Sequence, residues 1–125
     1  MLRKTISELK CRLTIVRRDF MAERSKVKIT VLKKFKPSDV FGDKLPADTN
    51  IKDACSVFNP GQEYIIGADG KVPEGFCVWA WNDLYSTLTH LRFGGDFPWM
   101  KDTGTIIACC SDGLRPVIFK LERMK

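Results

Sequence analysis

With one histidine in 125 residues and neither a Cys-x-x-Cys nor a His-x-x-x-His pair, the chain lacks the spaced ligands of a zinc finger. Any metal site would have to be assembled in space from scattered thiols. The chain also lacks a GxGxxG fingerprint, a Walker loop and an HExxH helix, so no motif names a reaction. No apolar run approaches the roughly 20 residues that span a bilayer. The basic N-terminus is not followed by an unbroken apolar core with a small-residue cleavage site. Neither a membrane span nor a secretory signal is expected, and the cytoplasm is the expected location.

What is present describes an ordinary globular chain. Apolar residues make up 44% and charged residues 29%, too apolar for disorder by composition. A chain of this length buries roughly two-thirds of its unfolded surface, enough for one real core. The formal charge of +6 is unevenly placed. Residues 1–26 carry eight basic and three acidic side chains, a net +5, whereas 27–125 carry 13 and 12. Nucleic-acid binders usually wear their charge on a face of the folded body, so nucleic acid is not an expected partner.

The organisation is read from periodicity. Lys10–Arg18 and Lys26–Lys34 match position by position in chemical type, each alternating charged and aliphatic residues as a half-buried strand does. Residues 1–25 are thus a basic extension, either an extra strand or a segment upstream of a natural start at Met21. Residues 26–125 are expected to form a single α+β domain. A strand is predicted at about 26–35, and a single helical turn near Pro37-Ser38-Asp39. A polar surface loop carrying Cys55 comes next over 43–60, then a short strand at 62–66. The main helix is predicted over about 76–92, ended by Gly94-Gly95. At 100° per residue, Cys77, Trp81, Leu84, Leu88 and Leu91 fall on one stripe with Ala80 beside it, which should face a mostly antiparallel sheet. Trp79, Asp83, Ser86 and His90 lie opposite. A tryptophan there asks for cover from a subunit contact or from the Phe97-Pro98-Trp99 loop. Thr105–Cys109 and the alternating run to the C-terminus, joined through Asp112-Gly113, read as a C-terminal β-hairpin.

Thiols are the candidate chemistry. The five cysteines are an odd count and are expected to be reduced. Cys109 and Cys110 are adjacent in a strand and so point to opposite faces; one should enter the core and the other face out. At the start of a helix Cys77 meets free N–H groups and a positive dipole end that favour a thiolate, while the core stripe disfavours one. Cys55, in a polar loop, is least explained by packing. His90 has no acid partner in the pattern. Arg115 is placed either to bind an anion or to pair with Asp112.

The segments Pro73-Glu74-Gly75-Phe76-Cys77-Val78-Trp79-Ala80-Trp81, Phe93–Met100 and Cys109-Cys110-Ser111-Asp112-Gly113-Leu114-Arg115-Pro116-Val117-Ile118-Phe119-Lys120-Leu121-Glu122-Arg123 carry a resemblance. From about Val27 to Arg123 the chain resembles a numbered family of short prokaryotic proteins of roughly 100 residues, frequent in anaerobes. The resemblance implies an identity and no mechanism. Some family members space the paired thiols Cys-x-Cys, unlike the adjacent Cys109-Cys110 here, which weakens a shared ligand.

Three functions stand as expectations. The leading one is thiol-based binding of a metal (zinc or an iron–sulfur group) or of a redox partner, through Cys55, Cys77 and Cys109 or Cys110. The second is a homo-oligomeric interaction module that uses Trp79, Phe97 and Trp99. The third is a small-molecule enzyme with its pocket between the helix and the aromatic loop, where Glu74 or Asp102 acts; the reaction, if any, is left open.

Overall fold

Alternation decides the first element. Strand β1 (Val27–Lys34) buries Val27, Ile29 and Val31 and turns Lys28 and Thr30 away from the core, as period-2 geometry requires. The computed structural model describes residues 24–124. The suggested strand at 10–18, Cys11 and the start at Met21 lie outside the described residues. On one side β1 pairs with β2 (Glu63–Ile66), and on the other with β4 (Val117–Arg123). Strand β3 (Thr105–Cys109) lies outside β4, giving a four-stranded antiparallel sheet of order β2-β1-β4-β3. Between β1 and β2 comes one short helix, α1 (Pro37–Phe41), which starts after Lys36 with the Asp39 carboxylate accepting the Lys36 N–H. The fold is α+β with a C-terminal hairpin, as the pattern predicts.

The main helix, α2 (Val78–Arg92), covers one face of the sheet. Ala80, Leu84, Leu88 and Leu91 are fully buried in the cluster that holds Ile29, Phe119 and Leu121, with Cys77 and Trp81 packed at its margin. Trp79, Ser86 and His90 face out. The predicted stripe is therefore the packed stripe, and it misses one member. Arg92 is buried; its guanidinium donates to the Ala68 carbonyl at 2.6 Å and lies beside the Phe93 ring. Gly70 makes room for it, because a Cβ there would collide with that guanidinium.

A helix end leaves carbonyls unpaired, and β4 supplies a donor to one of them. Arg123 donates to the Leu91 carbonyl at 3.3 Å and the Gly95 carbonyl at 2.6 Å, and pairs with Asp96 at 2.9 Å. The Arg123 hydrogen bond, reinforced by the Gly104 N–H, holds the Asp96 carboxyl below its usual value against a smaller effect of burial.

Three local features depart from the sequence pattern. The β1–β4 register shifts between Val31 and Lys33. That bulge at Leu32 reverses the parity of the strand beyond it, so that Lys34, not Lys33, pairs with the buried Val117. In addition, the 43–60 segment is not wholly a surface loop. It drives Phe58 into the core, where the ring meets Phe76 and Phe119 edge-on at 5.0 and 5.1 Å and Tyr64 at 6.1 Å. The connection between β3 and β4 is also longer than a two-residue Asp-Gly turn. It runs over 110–116, closed by the Cys110 N–H donating to the Val117 carbonyl. No described helix is long and apolar enough to cross a membrane.

Candidate functional site

A cleft of about 620 Å³ opens at the N-terminal end of α2, within the usual size of small-ligand sites. Four segments build it. Phe41 comes from the end of α1, and Cys55, Val57 and Phe58 from the loop beyond it. Cys77, Trp79 and Ala80 belong to the start of α2, and the β3–β4 connection closes the remaining side.

Each wall is fixed by a local interaction. The bulge aims Lys34 at the first loop, where its ammonium donates to the Cys55 carbonyl at 2.9 Å and to Asn59 Oδ1 at 3.1 Å. Phe58 anchors the same loop from below. Cys77 is the residue before the first helical turn, so its thiol stands at the helix mouth; its side chain makes no capping hydrogen bond and the first turn holds no acidic residue. On the far wall, Asp83 of α2 accepts the Ser111 N–H at 2.7 Å and ties the connection to the helix. Asp112 then shapes the connection. One carboxylate oxygen accepts the N–H groups of Leu114 and Arg115, and the other accepts Arg115 Nε at 2.9 Å. Burial alone would raise the Asp112 carboxyl; the hydrogen bonds from Arg115 and Leu114 outweigh it and hold the group low. The Asp112 hydrogen bond raises Arg115 in turn, against some desolvation.

The thiols divide as strand geometry predicts. Cys110 turns toward the cleft, its sulfur accepting the Val117 N–H at 3.3 Å. Cys109, paired with Ile118 in the sheet, is exposed and faces the other way. Its sulfur donates to the Cys110 carbonyl at 3.0 Å. Burial raises the Cys109 thiol, with smaller contributions from Cys110 and Asp83. Three of the four expected sulfurs, those of Cys55, Cys77 and Cys110, thus line one cleft from three remote stretches of sequence. They form no cage. Among the described residues, no group of three or more His, Cys, Asp or Glu side chains is placed to hold a metal ion.

The other expected residues lie apart. Trp79, 65% exposed, borders the cleft. Phe97 packs in tilted ring contacts against both the 69%-exposed Trp99 and His90, near the opposite end of α2. His90 meets no carboxylate there; its Nε2 is 2.9 Å from the Asp96 carbonyl. Neither Glu74 nor Asp102 lines the cleft, and the cleft does not lie between α2 and the aromatic loop. Sequence reasoning missed Phe58 and Lys34. A lone aromatic in a polar loop was the available signal for the first; a one-residue bulge announces nothing in sequence. Compared with protein-family models, curated proteins and solved structures, the chain matches none.

Proposed function

We propose that the protein is a small-molecule binding module whose ligand, largely apolar, sits in the cleft at the head of α2 against the thiols of Cys55, Cys77 and Cys110. One observation carries this reading: three cysteines from separate segments border a single open, mostly apolar cleft of about 620 Å³. Free cysteine usually packs in the core, yet here all three are only partly buried. Sulfur is polarizable and suits contact with aromatic or soft groups. This keeps the thiol-centred expectation and replaces its metal by an organic ligand, since the described residues offer no three-ligand group.

Cys109 supplies an internal control, because it lies on the other side of the sheet from the cleft. Alkylation by iodoacetamide, read out by mass spectrometry, should be slowed at Cys55, Cys77 and Cys110 by a saturating neutral apolar dye such as Nile red. Cys109 should react at an unchanged rate. Absence of saturable dye binding, or binding that shields none of the three, would overturn the proposal.

A further inference from the structure

Resting on that binding reading, we infer that the ligand of the cleft carries a carboxylate, gripped end-on by Arg115, on an otherwise apolar body. A guanidinium offers five N–H donors in a planar fork. In Arg115 only Nε is engaged, by Asp112 Oδ2 at 2.9 Å. Among the described residues, neither terminal nitrogen of Arg115 has a hydrogen-bond partner. Asp112 cannot wrap around to meet them, because its other oxygen already accepts the N–H groups of Leu114 at 3.1 Å and Arg115 at 3.2 Å. The side-on contact therefore fixes the plane of the guanidinium and leaves its bidentate edge open. That edge matches the two oxygens of a carboxylate.

Position separates this arginine from an ordinary surface ion pair, which is worth little in water. Arg115 forms part of the cleft wall together with Phe58 and Trp79, where an apolar ligand displaces water and strengthens the remaining electrostatics. It is the only Lys or Arg among the described residues that line the cleft. Because the guanidinium is already paired with the Asp112 carboxylate, the two are formally neutral together, so a monocarboxylate leaves one uncompensated charge and a dianionic phosphate leaves two. Val57, Phe58 and Trp79 ask for an aliphatic or aromatic body behind the head group.

Isothermal titration calorimetry with two matched pairs of probes tests the assignment: decanoate against decanol, and 2-naphthoate against 2-naphthamide. The wild-type chain should bind each carboxylate about tenfold more tightly than its neutral partner, the worth of a hydrogen-bonded charge pair at a half-buried site. Arg115→Gln should erase that preference by weakening the carboxylates alone, and Arg115→Lys, which keeps charge without the fork, should restore only part of it. Equal wild-type affinity within both pairs, or a preference that survives Arg115→Gln, overturns the carboxylate assignment. In that case neutral probes that still bind and shield Cys55, Cys77 and Cys110 leave the cleft reading standing. If no probe binds and none shields the thiols, both fall. The wild-type comparison stands even if Arg115→Gln lowers the melting temperature.

Discussion

Phe58→Ala is the sharpest perturbation of this fold, because one side chain serves both the core and the cleft wall. Phe58 is 1% exposed and meets three other aromatic rings edge-on. Truncating a buried phenylalanine costs about 3–5 kcal/mol, from lost transfer energy and the void left behind. Here the void would open into the cleft, so water can enter it and some of the cavity penalty is relieved. Each edge-on ring contact adds about 0.5–1.5 kcal/mol beyond area, which keeps the total near 3 kcal/mol. Domains of this size are held by about 5–15 kcal/mol, so the variant should fold with a much reduced margin. Urea denaturation monitored by circular dichroism should show the midpoint falling by roughly 1–2 M, with the slope unchanged. Alkylation of Cys55 should accelerate in the same protein, because its loop has lost its anchor. Phe58→Leu, which conserves most of the volume, should cost about 1 kcal/mol. A loss below about 1 kcal/mol for Phe58→Ala would refute the reasoning, since Phe58 would then be a passenger of a loose loop.

Three further outcomes rest on single contacts. Lys34→Met removes the two hydrogen bonds that pin the first wall; stability should fall by about 1 kcal/mol while Cys55 alkylation quickens and Cys109 alkylation does not. An unchanged Cys55 rate would show that Lys34 does not hold the loop. Asp96 and Asp112 sit below their usual values when folded, so the stability they contribute is present above about pH 4. It is lost as pH falls through their folded values. Melting curves between pH 7 and pH 2 should therefore drop at the acid end, and Asp96→Asn should flatten that drop; an equally steep fall in the variant counts against the Arg123 pair. Gly95→Ala pushes a Cβ into the His90 ring. Calorimetry should show a melting temperature lower by a few degrees, recovered in the Gly95→Ala/His90→Ala double variant, and no recovery would place the cost elsewhere.

The fold was legible wherever one period ran long enough to be read. Val27, Ile29 and Val31 alternate with charged or polar neighbours, and that alternation is the buried pattern of β1. The stripe through Ala80, Leu84, Leu88 and Leu91 predicted which side of α2 meets the sheet. Arg92 escaped, since charge at a helix end normally means solvent; its burial depends on the Ala68 carbonyl and on Gly70, which meet it only through tertiary packing. Phe58 escaped for the converse reason. Its neighbours Ser56, Val57, Asn59 and Pro60 are exposed, and a single buried residue in a polar stretch has no period to betray it.

The site was legible in its members and not in its chemistry. Opposite faces for Cys109 and Cys110 come from strand geometry alone, which is why one of the pair had to be lost to the cleft. What sequence could not supply was the distance between segments. Cys55 joins Cys77 in the cleft at the head of α2 because a bulge at Leu32 reverses the parity of β1 and sends Lys34 to hold the Cys55 loop. The Asp112–Arg115 pair shows the same limit from another side. Its spacing predicts a turn-local salt bridge, and the bridge forms. Yet the pairing is side-on, through Nε, and this detail leaves the terminal nitrogens of an arginine that lines an apolar cleft without a partner among the described residues. Anion binding and pairing with Asp112, which looked like alternatives in the sequence, are compatible once the edge of the guanidinium that each would use is known.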